Sequence, residues 1–181
     1  IPYRQLIVEA AGESDRRFDG GGEAHPDAVF DGFAQRRGHR FWIDLRNRAE
    51  DRFRRAFLGA AIEPSGAIAP ELFRRMASQG MDILAIPAAF TYRTGLAHWE
   101  PLLRARAIEN LCYVVAAAQT GTHPAGRQTY GHSMVVDPWG AILAQSVGRP
   151  GICSATIDPA HLKRLRQQFP VLDHRRIKTV S

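Results

Sequence analysis

Long apolar runs are missing from these 181 residues. No stretch approaches the roughly 18 consecutive apolar residues that a membrane-spanning helix needs, so a helical membrane protein is not expected. The opening residues, IPYRQLIVEA, have neither the basic start nor the apolar stretch of a signal peptide, and a cytoplasmic location is the expectation. Cysteine is scarce. Cys112 and Cys153 cannot build a disulfide framework or a four-cysteine zinc site. No phosphate loop, GxGxxG or GxSxG is present, which leaves nucleotide binding and the common serine-hydrolase elbow without support. The seven histidines never fall in a metal-ligand spacing, so no metal is expected.

Lysine is nearly absent too: Lys163 and Lys178 stand against 22 arginines. The formal charge of +6 is unevenly placed. Residues 1–69 balance 11 Arg with 11 acids, while residues 70–181 carry 13 cations against 7 acids. Several of those cations cluster after residue 160. A solvated helix and tail accounts for them more simply than a phosphate-binding surface, and a nucleic-acid partner is not expected.

The two parts of the chain differ in coherence. Residues 1–69 are rich in Arg and Gly. AAGESDRRFDGGGEAHPD reads as loop, and HRFWIDLRNRAEDRFRRAFLGAA reads as a helix from about Asp44, ended near Ser65-Gly66. From Pro70 the signals agree. PELFRRMASQG has proline at a helix start and Gly80 at its stop. DILAIP (82–87) is a short buried strand. HWEPLLRARAIENL (98–111) is a helix whose apolar positions Trp99, Leu103 and Ala107, with Leu102, Ala105 and Ile108, give a broad face. Pro101 then falls in its first turn, and His98 and Trp99 serve capping and core packing. Glu100 and Arg104 form a favourable i,i+4 pair.

CYVVAAAQ (112–119) reads as a buried strand, which makes Cys112 an inert core thiol; Cys153, between Ile152 and Ser154, reads the same way. TYGHSMVVD (129–137) alternates as one strand and DPWG is a turn. AILAQS and GICSATI are two more strands, and Asp158-Pro159 opens a last helix. Helix, strand, helix, a run of strands and a helix make a layered α/β domain.

Residues 70–176 resemble the carbon–nitrogen hydrolase (nitrilase) family in its C-terminal part. The resemblance is carried by PELFRRMASQGMDILAIPAAFTYRTGLAHW, LLRARAIENLCYVVAAAQTG, TYGHSMVVDPWGAILA and FPVLDHRR, which come in the family's order and spacing. It implies an α-β-β-α sandwich, here partial, with residues 1–69 a poorly matched segment and 70–181 the C-terminal part of the domain. It also implies homo-oligomers built through helices beside the active site, no cofactor, and hydrolysis of small amides or nitriles by a cysteine, a lysine and a glutamate. PAAFTYRTGLAHW and YGHSMVVDPWG look most like the branch acting on short ω-amides and deaminated glutathione.

The family's catalytic residues do not carry over. The glutamate belongs to a region that would precede residue 1. The lysine position reads Gln5, in Tyr3-Arg4-Gln5. No cysteine precedes PELFRR; aligning Asp44-Leu45-Arg46 with the family's cysteine motif puts Trp42 at the nucleophile position. The resemblance makes Ala88, Ala89, Phe90 and Thr91 pocket-wall candidates, and Arg104, Arg106 and Glu109 candidates for the dimer helix. Three accounts stay open: an amide hydrolase whose first half is misread in a shifted frame, a pseudoenzyme kept for dimerisation or binding, and a foreign first segment joined to a hydrolase-like half. In each, the chain as written is not expected to hydrolyse its small amide substrate alone. If residues 1–69 form no strands, uncovered strand edges would favour a poorly soluble chain or an obligate oligomer.

Overall fold

A computed structural model describes residues 70–123 and 126–176 in full and, as backbone strands, residues 4–10, 41–45 and 56–58. The order is β1 (Arg4–Ala10), β2 (Phe41–Leu45), β3 (Ala56–Leu58), α1 (Pro70–Ser78), β4 (Ile83–Ala88), α2 (Tyr92–Asn110), β5 (Tyr113–Ala118), β6 (Thr120–Thr122), β7 (Gln128–Tyr130), β8 (Met134–Val136), β9 (Ile142–Gln145), β10 (Gly151–Ile157) and α3 (Pro159–Gln168), closed by a 3-10 turn, Val171–His174. Five strands form one sheet in the order β3-β4-β5-β8-β9, and three form a second in the order β10-β1-β2. In the larger sheet β3, β4 and β5 run parallel and the last two strands antiparallel.

The larger sheet is buried on both faces, as a parallel sheet must be. Strands β4 and β5 are therefore apolar at every position. Alternation sends Leu84, Ile86, Ala88, Val114, Ala116 and Ala118 to one face, where Phe73 and Met76 of α1 and Trp99, Leu103 and Ala107 of α2 cover them. The other face sends Ile83, Tyr113, Val115, Ala117 and Val135 against Cys153, Ala155 and Ile157 of β10 and Leu162 of α3. Among the described residues the layers are thus helix, sheet, sheet. Each of these large side chains contributes about 1.5–3 kcal/mol on burial.

Several elements depart from expectation. Phe41–Leu45 and Ala56–Leu58 are strands, which corrects the helix read from Asp44; β-branched and aromatic residues paired across a ladder outweigh the weak helical periodicity there. Of the loop expected over residues 10–27, Ala10 ends β1 and the rest lies outside the described residues, as does the break at Ser65-Gly66. The segment 129–137 is two strands in different sheets, because Gly131 (φ 70°) and His132 (φ 62°) turn the backbone between them.

Helix α2 begins at Tyr92, six residues earlier than expected. Pro101 consequently sits inside it and not in its first turn. The amide that proline lacks would have met the carbonyl of Ala97, which is exposed and can bond water. His98 is exposed at mid-helix, so it neither caps nor packs in the core, whereas Trp99 is buried. The apolar face is also narrower than read: Ala105 is exposed and Ile108 keeps 43% of its surface in contact with solvent.

The early start works because Gly95 lets Tyr130 lie against the helix backbone. A Cβ at Gly95 would fall 2.3 Å from Tyr130 Cβ. Alanine normally favours a helix by about 1 kcal/mol over glycine. We expect Gly95→Ala to destabilise instead, by about 1–3 kcal/mol as overpacking does, measured as a lower urea midpoint. A gain in stability would show that β7 can move off the helix freely.

Candidate functional site at the carboxyl ends of the parallel strands

Parallel strands flanked by helices present their ligand sites where the carboxyl ends of the strands open into loops. In this chain those ends are Ala88 of β4 and Ala118 of β5. The chain leaving β4, residues 88–91, is held on its whole length by what leaves β5. Gln119 N donates to Ala88 O at 2.9 Å, Tyr130 N donates to Phe90 O at 2.9 Å, and Thr91 bridges Thr129 in antiparallel fashion. Arg127 reaches over to donate from Nη2 to Ala89 O at 2.9 Å.

The third piece is the turn between β7 and β8. Ser133 Oγ accepts from Ala118 N at 3.0 Å, which fastens the turn to the end of β5. His132 occupies a left-handed conformation that costs a non-glycine residue of order 1–3 kcal/mol. Three contacts hold it there. Its Nδ1 lies 2.8 Å from Tyr130 O, its ring stacks on Tyr130 at 3.8 Å, and its carbonyl accepts from Trp99 Nε1 at 2.8 Å. Tyr92 meets Tyr130 edge-on. His123 Nε2 lies 2.9 Å from Thr129 Oγ1. Among the described residues no group of three His, Cys, Asp or Glu could hold a metal ion.

The four pocket-wall candidates separate. Ala88 is buried in the helix-side core, and Ala89 and Thr91 are half-buried. Phe90 packs on Trp99 with ring centroids 5.3 Å apart and lines a crevice with Phe73, Ile86, Leu102, Leu103 and Arg106. That crevice has space for about one water, too little for a substrate.

The dimer-helix candidates are engaged within the chain. Arg104 donates to Gly140 O at 2.8 Å and pairs with Glu100 as expected. Arg106, only 7% exposed, pairs with Glu109 Oε1 at 2.6 Å and lies over the Phe73 ring. Glu109 also receives Arg74 at 2.9 Å. The segment DPWG is structural as read: Asp137 Oδ1 accepts from Trp139 N and Ala141 N.

Gln5 and Trp42 fall in the smaller sheet. Gln5 pairs with Thr156 and Trp42 with Glu9, so the two positions stand about 14 Å apart along the strands. The strand that precedes α1 and runs parallel to β4 is β3, not the strand carrying Trp42.

Neither cysteine is poised for nucleophilic attack. Burial pushes the Cys112 thiol up to about 12, against the opposing pull of Arg166, and it lies at the amino end of β5, opposite the site. Burial also raises Cys153, whose Sγ points at Ser133 O at 3.5 Å. Sequence reasoning missed three features: the strained His132, the buried Gln119 and the reach of Arg166 across the amino ends of the central strands. The Gly131-His132 pair within an apparently alternating strand is the one signal that could have exposed the turn.

This fold is shared with carbon–nitrogen hydrolases. The Carbon-nitrogen hydrolase family model matches residues 65–167, more than half of the chain, and the chain belongs to that family. Solved relatives are α-β-β-α sandwich proteins of the nitrilase superfamily. The NitFhit protein of Caenorhabditis elegans is 60% identical, with a TM-score of 0.58 over 59% of this chain and 26% of its own. Nit3 of Saccharomyces cerevisiae is 36% identical, with a TM-score of 0.56 over 60% of this chain and 40% of its own. The deaminated glutathione amidase of Homo sapiens is 57% identical over 107 residues, 59% of this chain and 33% of that enzyme. The chain therefore spans well under half the length of the curated relatives it matches. No helix among the described residues is long and apolar enough to cross a membrane.

Proposed function

We propose that these residues form the substrate-facing wall of an amide hydrolase of the ω-amide-acting branch, and that they bind a small amide without hydrolysing it alone. The observation that carries this reading is the state of the thiols. Hydrolysis in this family needs a thiolate, and the only two cysteines in the sequence are buried and held protonated. Relatives named deaminated glutathione amidase support an amide as the substrate class.

The wall suits such a ligand. Among the described residues at the ends of β4 and β5, the groups on offer are hydroxyls, aromatic rings, backbone amides, the Gln119 carboxamide, the imidazoles of His123 and His132 and the Arg127 guanidinium, with no carboxylate beside them. Gln5 and Trp42 stay proposals for the lysine and cysteine positions, and the helix carrying Arg104, Arg106 and Glu109 stays the proposed dimer helix.

The test is alkylation under native conditions, paired with an assay for ammonia. Iodoacetamide at neutral pH is expected to leave both cysteines unmodified until denaturant is added, when both react. Succinamate and glutaramate are expected to release no ammonia above the buffer rate. Ammonia release abolished by alkylation would overturn the reading and make one of the two thiols a nucleophile.

A further inference from the structure

We infer that Gln119 is a specificity-determining contact for the carboxamide of the ligand, its side-chain oxygen accepting a substrate N–H. This rests on the amide-binding reading above.

Two independent observations carry it. Gln119 is 5% exposed, and its Oε1 is fully buried without a hydrogen-bond partner among the described residues. Leaving a buried acceptor unpaired carries a desolvation penalty, and folded proteins seldom leave one unless something else fills it. Exchanging the oxygen and nitrogen of the amide changes which atom faces the gap, but a buried polar atom stays unpaired. The second observation is place. Gln119 is the first residue beyond β5, and its backbone N is fixed to Ala88 O, in the middle of the loop cluster at the strand ends. Strand alternation from Tyr113, Val115 and Ala117 carries its side chain to the side between the two sheets.

A comparison within the chain sharpens the point. Asn110 Oδ1 is also buried and unpaired among the described residues. Its amide, however, is anchored by Nδ2 to Arg106 O at 2.9 Å, and it lies before β5 begins, at the opposite end of the strand. Position at the carboxyl ends distinguishes Gln119. A carboxamide has the N–H donors that this acceptor lacks, whereas a carboxylate of the same shape has none. A site built around such a bond rejects the analogue that lacks it.

The experiment uses the full 181-residue chain with glutaramate and glutarate as probes, followed by ligand-observed NMR, beside urea denaturation of the free protein. The expected result has three parts. Glutaramate binds at least about tenfold more tightly than glutarate, the scale of one net hydrogen bond. Gln119→Met abolishes that preference. The same substitution raises the urea midpoint of the free protein, because it removes an unpaired buried acceptor while keeping the volume. Equal binding of glutaramate by the variant would overturn the role of Gln119 and leave the amide-binding reading standing. Absence of glutaramate binding by the unmodified chain would overturn both. A lowered midpoint for Gln119→Met would mean that the oxygen is satisfied within the protein, and would overturn the inference alone.

Discussion

Replacing Arg166 with methionine is expected to cost about 2–4 kcal/mol of folding stability, because it removes one cation from a buried carboxylate and the donors of two carbonyls. The guanidinium reaches from α3 to the amino ends of both central strands. It meets Asp82 Oδ1 at 2.6 Å just before β4, donates to Met81 O at 2.6 Å, and donates twice to Leu111 O at 3.0 and 2.8 Å just before β5. Asp82 is 6% exposed, so its carboxylate would lose this cation where water cannot replace it. Leu111 O and Met81 O would each lose a donor as well. The planar fork serves three acceptors that an ammonium cannot reach together, so Arg166→Lys should recover less than half of the loss. Urea titrations at unchanged slope measure both. A loss below about 1 kcal/mol would mean that the pair behaves as a surface ion pair does.

Trp99→Ala is expected to cost about 3–5 kcal/mol, through the cavity and lost transfer energy of a fully buried indole. Its effect should also travel. Trp99 Nε1 is one of three contacts that hold His132 in its left-handed conformation, and the ring supports Phe90 on the other side of the site. Trp99→Phe separates the two roles: most of the packing stays and the bond to His132 O goes, at about 1 kcal/mol. Amide chemical shifts of residues 131–133 should then move in both variants, while those of α3 stay. Shifts confined to α2 would mean that the turn holds itself.

The sequence is most readable where several local signals coincide. Pro70 with Gly80, and Asp158 with Pro159, mark ends that the backbone itself dictates, and α1 and α3 begin where these residues say. Strands β4 and β5 are legible because burial on both faces leaves no room for a polar residue. Tertiary contact decides the rest. Tyr92, Thr94 and Gly95 are ordinary or poor helix formers, and α2 starts there because Tyr130, distant in sequence, packs on Gly95. The ladder to β1 makes a strand of Phe41–Leu45 where the Arg-rich sequence around it hints at a helix. Of the proposed site, the segment Ala88–Thr91 is suggested through resemblance to a family. Gln119 is not, because an orphaned oxygen is a fact about three-dimensional neighbours and leaves no trace in a residue's identity.

The pairing of β1 with β10 sets an order of events during synthesis. Ala10 is matched to Gly151 and Arg4 to Ile157, so β1 leaves the ribosome about 140 residues before its partner. At ordinary elongation rates that is a wait of roughly 7–30 s. Strands β4 and β5, with α1 and α2 between and beside them, have all their neighbours within a much shorter span and can assemble in the meantime. The nascent chain thus carries an unmatched β-edge past a nearly finished larger sheet, an opening in which a holding chaperone, or another copy of the same strand, can compete for β1 before β10 arrives.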